Sequence, residues 1–127
     1  MKILLPFYDP FDREITSPIV TAGIEKFCKN IYYNFEDVVV HQVSYHDDRK
    51  LASSKLIEKI HSVKPDIIVT NFEPALFTNK DIINCGYPVM HVAHMNACMI
   101  SYLDRILNHQ KNNHSIFGVS QFQENNF

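Results

Sequence analysis

The sequence predicts an α/β domain, with a parallel sheet covered by helices on both faces. Three observations predict it. Short apolar runs recur, each ends in polar residues, and each is followed by a stretch of helical periodicity, the mark of strand-helix alternation. The stretch KPDIIVTNFEPA, Lys64 to Ala75, shows the pattern most clearly: Pro65 stops a helix, Ile67 to Thr70 read as a buried strand, and Thr70 and Asn71 give it a polar exit. The chain is 127 residues long and 46% apolar, which suits one compact domain with its own core.

Lys2 to Phe7 forms the first strand, nearly all apolar as befits a strand covered on both faces, with Pro6 at its exit. A loop from Tyr8 to Ala22 follows, about fifteen residues where two to six are usual, and loops of that length are functional or disordered. The first helix opens at Gly23 and places Ile24, Phe27, Cys28, Ile31, Tyr32 and Phe35 on one stripe, with Lys26, Lys29 and Asn30 pointing away. Asp37 to Val43 is the second strand, and Ser44 to Lys50 a polar loop in which Asp47 and Asp48 read as solvated charge. A second helix from Ser53 to Val63 buries Leu56, Ile57, Ile60 and Val63. After the third strand come a short helix from Asn79 to Cys85 capped by Gly86, a fourth strand from Pro88 to Ala93, and a helix from Asn96 to Gln110. Ser115 to Val119 is a fifth strand, and Gln121 to Phe127 read as the first turns of a helix that is cut off. The expected fold is therefore a Rossmann-like, five-stranded parallel sheet of order 3-2-1-4-5 with an incomplete final helix. An ending of that kind predicts a chain that belongs to something longer or is completed by a partner.

Composition narrows the function. A net charge of −2 gives no basic footprint of a dedicated nucleic-acid binder. The three cysteines, Cys28, Cys85 and Cys98, are far apart and without metal spacing, so they read as small buried thiols in a reducing, cytoplasmic setting. No apolar run approaches the roughly 20 residues of a membrane span. A Gly-x-Gly-x-x-Gly run is missing after the first strand, as is a Gly-Lys-Ser/Thr phosphate loop, which argues against NAD(P) and P-loop enzymes. Ser120 reads Gly-Val-Ser-Gln-Phe and lacks a nucleophile elbow.

In an open α/β sheet, ligands bind beyond the carboxyl ends of the strands at the switch point. Order 3-2-1-4-5 would bring the Tyr8–Gly23 loop, the Asn71 turn, His94 and Ser120 together there. His94 reads as a general base or hydrogen-bond donor, or as a capping histidine. His91, three residues earlier on the same strand, faces the other way and reads as a hydrogen-bonded core histidine, so the two do not share a metal. Gly23 either permits close approach to the helix N-terminus or makes a tight junction. Glu73 touches a ligand or caps a loop. Tyr8 and Phe11 line an acceptor pocket or pack on another domain.

These residues resemble the N-terminal domain of glycosyltransferases built from two facing Rossmann-like domains, the GT-B architecture, in the group with a glycosyltransferase-4-like N-terminal domain. MKILLPFYDP is similar to that family's opening strand, and TAGIEKFCKNI to its Gly-Gly-hydrophobic-Glu-Arg segment. KPDIIVTN resembles its Lys-Pro-Asp strand, and PVMHVAH and FGVSQF its later strands. The likeness spans nearly the whole chain. It implies that residues 1–127 form the acceptor-side domain of an enzyme that moves sugar from a nucleotide-sugar donor. A C-terminal domain, absent here, would bind the donor, and this chain alone would be inactive. It implies that the Thr21-Ala22-Gly23 turn approaches the donor diphosphate, that His94 lies near the sugar as the catalytic residue, and that Tyr8, Asn71, Glu73 and Ser120 contact substrate. No metal or other cofactor is implied for this domain. The acceptor stays open: glycan, lipid, protein or nucleic-acid base. Ala22 stands where the family has its first glycine, and Asp9, Asp12 and Glu14 put acidic charge in the same loop. The competing reading is a stand-alone flavodoxin-like binding or interaction module without catalysis.

Overall fold

The computed structural model describes residues 1–20, 23–71, 85–93 and 114–118. The strands are β1 (Ile3–Tyr8), β2 (Val38–Val43), β3 (Ile67–Thr70), β4 (Val89–Ala93) and β5 (His114–Gly118); the helices are α1 (Gly23–Asn34) and α2 (Arg49–Val63). All strand pairings are parallel. The α/β class and the parallel sheet are as expected. The helices expected at 79–85 and 96–110, and the final helical turns, lie outside the described residues apart from Cys85.

The strand order is β2-β1-β3-β4-β5, which corrects the expected 3-2-1-4-5. β1 pairs with β2 on one side and with β3 on the other. Burial explains the choice. In β3, Ile68, Val69 and Thr70 are all buried, and so short an apolar strand needs neighbours on both edges. In β2 only Val43 is buried and the rest is half-exposed or exposed, so β2 tolerates the edge of the sheet. The chain thus leaves β1 in one direction through α1 and returns past it through α2. Right-handed crossovers in opposite directions put the two helices on opposite faces.

Alternation along the strands sorts the core accordingly. Ile3, Leu5 and Phe7 join Val69, Val92 and Cys28 under α1, with Ile24, Phe27 and Ile31 packed against them. The alternate positions Leu4 and Ile68 are fully buried on the other face, where α2 contributes Leu56 and Ile60, also at zero exposure. Each such side chain contributes roughly 1.5–3 kcal/mol through burial.

Four local readings change. α2 starts at Arg49, not Ser53, because Asp48 is its N-cap: the Asp48 carboxylate accepts the Leu51 N–H at 2.8 Å. Asp47 is also engaged, paired with Lys55 at 2.7 Å. At the far end Lys64 takes the left-handed conformation, φ 51°, and its N–H closes on Ile60 O before Pro65 ends the helix. On α1, Lys29 and Glu25 are buried whereas Phe35, past the helix end, is exposed. No described helix is long and apolar enough to cross a membrane.

Candidate binding crevice at the β1–β3 switch point

With β3 beside β1, the switch point lies between these two strands, and open α/β sheets bind their ligands beyond the carboxyl ends at that point. The β1–β3 pairing is short there for a local reason. Asp66 and Ile67 donate their N–H groups to Lys2 O, so the even-numbered residues of β1 direct their backbone groups toward β3. Pro6 is the next but one of these and has no N–H to give. The β1–β3 pairing accordingly stops at Leu4↔Ile68, whereas the β1–β2 pairing continues to Tyr8↔Val43. Pro6 is thus not the exit of β1 but the residue that frees β1 from β3 on one side only.

The loop after β1 is held by buried charge. The Asp9 carboxylate accepts the Phe11 N–H at 2.8 Å, and Asp12 N–H donates to Asp9 O at 2.9 Å, forming a tight turn directly at the strand exit. Its other oxygen accepts Arg13 Nε at 2.9 Å, and Arg13 reaches on to Glu25 in the first turn of α1 at 3.7 Å. Asp9 and Glu25 are only 1% and 2% exposed. From one turn further along α1, the Lys29 ammonium donates to Ile15 O at 2.7 Å and to Ser17 O. Two carboxylates and two cations balance. Burial pushes the Asp9 carboxyl up, but the Phe11 N–H, the Arg13 hydrogen bond and charge, and Lys29 outweigh it and hold the group below the usual carboxylate range.

Asp12 sits at φ 53°, a left-handed conformation that Asp tolerates. Its carboxylate accepts the Tyr45 N–H at 2.8 Å and pairs with His46 Nε2 at 3.2 Å. The Tyr8 and Tyr45 rings lie 5.8 Å apart. The loops after β1 and β2 are thereby joined, and the acidic residues Asp9 and Asp12 are engaged within the chain.

Of the residues singled out for a ligand in the sequence, Tyr8, Phe11, Gly23 and Asn71 fall among the described ones, and Phe11 is exposed with the Arg13 guanidinium 5.0 Å from its ring centre. Tyr8 is half-buried at the end of β1. Asn71 is 3% exposed, and its amide donates to Cys28 Sγ at 3.2 Å, so it ties the end of β3 to the underside of α1. Gly23 begins α1, and a Cβ built there would meet nothing within 4 Å. Among the described residues neither packing nor a positive φ demands glycine at that position. Thr21, Ala22, Glu73, His94 and Ser120 lie outside the described residues. β5, which leads to Ser120, is separated from β1 by β3 and β4, so the corrected order does not bring that strand to the crevice.

His91 is the hydrogen-bonded core histidine expected: it is 3% exposed, and its Nδ1 is 3.2 Å from Thr70 Oγ1, linking β4 to the end of β3. Cys28 and Cys85 are free thiols, and burial pushes the Cys85 thiol up, away from reactivity. Among the described residues no three His, Cys, Asp or Glu side chains are placed to hold a metal ion. The Asp9, Arg13, Glu25 and Lys29 network was not singled out in the sequence. Its signal was the pair of i, i+4 spacings, Asp9–Arg13 and Glu25–Lys29, flanking one long loop.

In comparisons with known proteins, no family model, no curated protein and no solved structure matches this chain.

Proposed function

We propose that the β1–β3 crevice is a ligand site, and that the chain is the acceptor-side, Rossmann-like domain of a nucleotide-sugar-dependent glycosyltransferase. The observation that carries the reading is Gly23. It opens α1 at the carboxyl end of the sheet, by the switch point where Pro6 ends the β1–β3 pairing, and among the described residues nothing lies within 4 Å of where a Cβ would stand. A helix N-terminus with room for backbone contact suits the diphosphate of a donor. Arg13 and Lys29 offset the buried Asp9 and Glu25, so the acidic charge the loop still presents is that of the exposed Asp12 and Glu14. The acceptor, whether glycan, lipid, protein or nucleic-acid base, would enter past Tyr8. A second domain would hold the donor's base and sugar, and His94 would act near the transferred sugar.

The test is an amide-resolved NMR titration of the full chain with UDP-glucose, GDP-mannose and inorganic diphosphate. Shifts are expected at Gly23 and Ile24. Gly23→Ala, whose Cβ meets no described atom within 4 Å, should leave the fold intact and weaken binding about tenfold by blocking backbone approach. Titrations that move neither amide, or equal binding by Gly23→Ala, would sink the reading.

The strand order favours a second reading. Order 2-1-3-4-5 is that of flavodoxin-like binding modules, whose ligands sit at the same β1–β3 switch point. Ligand binding at Gly23 without sugar release or transfer, with or without candidate partner domains, would favour this module over the transferase.

A further inference from the structure

The outer edge of β2 carries a second inference, independent of the crevice. Ile3 N–H donates to Asp37 O at 2.9 Å, which fixes the phase of the β1–β2 ladder. In a parallel ladder a residue's N–H and C=O point to the same side, so the odd-numbered residues of β2 serve β1. The backbone groups of Val38, Val40 and Gln42 therefore face outward, and among the described residues no strand lies on that side.

Edge strands are usually blunted by Pro, Lys, a bulge or a cover. β2 reads VVVHQV and contains neither Pro nor Lys. Its register against β1 runs unbroken from Ile3↔Val38 to Tyr8↔Val43, so it has no bulge. Val38, Val39 and Val40 are half-exposed, and the exposed aromatics Tyr33 and Phe35 lie just before the strand.

The two ends of the strand differ in charge. Glu36 and Asp37, both exposed, precede it. At the other end His41 lines an open depression of about 250 Å³ with Lys55, Glu58, Lys59 and Ser62 of α2. Burial, then Lys59 and Lys55, push the His41 pKa down, so the local field is positive despite Glu58 and the Asp47–Lys55 pair.

We propose that β2 pairs antiparallel with β2 of a second copy of this chain, on a two-fold axis through Val39, joining two sheets into one. A two-fold axis perpendicular to the sheet keeps equivalent faces together, so opposed residues must share parity. With Val39 on the axis, Val38 and Val40 exchange backbone hydrogen bonds with the partner's equivalents. Asp37 then faces the partner's His41 on the α2 face, beside Lys59, and the contact occurs twice. The acidic start of each strand meets the basic end of the other, so the edge is complementary to itself and not to an arbitrary strand.

Sedimentation velocity of the full chain at about 100 μM, enough to populate a dimer of micromolar Kd, should give twice the 14.8 kDa chain mass. Asp37→Lys should weaken the dimer at least about tenfold, because at both contacts attraction to the lysines beside His41 is replaced by repulsion from them. Adding His41→Asp to that variant should restore it. Amide exchange gives a readout that does not depend on any variant: protection of Val38 and Val40 should rise with concentration while that of Val39, bonded to β1, stays constant. A monomer at this concentration, a dimer indifferent to Asp37→Lys, or open-ended assembly would each overturn the proposal.

Discussion

Lys29→Met isolates what the buried ammonium does for the loop. Met keeps most of the apolar stem and removes the donor. In the native chain the ammonium donates to Ile15 O at 2.7 Å and to Ser17 O, bonds that span 14 and 12 residues and so close the loop onto α1. Hydrogen bonds to a charged group contribute about 1.5–3 kcal/mol each. The desolvation of a buried ammonium takes back part of that sum. Ile15, 5% exposed in the core under α1, continues to anchor the loop after the substitution. We expect the free energy of opening the loop to fall by about 3 kcal/mol.

Trypsin measures that opening directly, because Arg13 lies in the loop with only 18% of its side chain exposed. When opening and closing are fast relative to cleavage, the rate follows the open population, so about 3 kcal/mol corresponds to a rise of about a hundredfold in cleavage after Arg13. Lys26→Met, at an exposed position on the same helix, is the control and should change the rate little. If Lys29→Met raised cleavage by less than about threefold with the fold intact by circular dichroism, the ammonium would not be what holds the loop.

Two further outcomes follow from the same geometry. Asp48→Ala should cost about 1 kcal/mol in urea denaturation, because Leu51 N–H loses its cap; a change within about 0.3 kcal/mol would mean water replaces the cap at no cost. Asp9 has a depressed folded-state pKa, so its contribution is fully present above its unfolded value of about 4 and is lost as the pH falls through the folded-state value. The stability difference between the native chain and Asp9→Asn should therefore be constant near neutrality and close on acidification; a gap that persists at low pH would assign it to shape and not to charge.

Strand existence was legible because apolar runs with polar exits are local signals. Strand order was not, since 3-2-1-4-5 and 2-1-3-4-5 use the same alternation and differ only in the direction in which α2 crosses. A partial signal was present: β2 carries His41 and Gln42 among its valines, whereas β3 reads Ile-Ile-Val-Thr, so the more polar strand takes the edge. Helical periodicity sent Lys29 outward. Its burial depends on loop carbonyls 12 and 14 residues earlier, which no periodic pattern encodes. Asp48 as an N-cap was readable from its residue type, but the polar Arg49 and Lys50 that follow hid the start of α2. Pro6 was recognised near the end of the first strand, but that it ends the pairing of β1 with β3 could be read only once the strand order was known.

The crevice and the open edge are two results of one topological choice. Carrying α2 past β1 places β3 on one side of β1, where Pro6 ends their pairing, and β2 on the other, with no further strand beside it among the described residues. β1 therefore stands between the proposed ligand and the proposed second copy. A copy paired along β2 would leave the β1–β3 mouth open, so the two surfaces can be occupied together. What connects them is the loop after β1, through the bonds from Asp12 to Tyr45 and His46 just beyond β2. That bridge joins the carboxyl end of β2, whereas the two-fold axis passes through Val39 near its start. Self-association therefore needs no movement of the crevice loop, and ligand affinity should not depend on chain concentration.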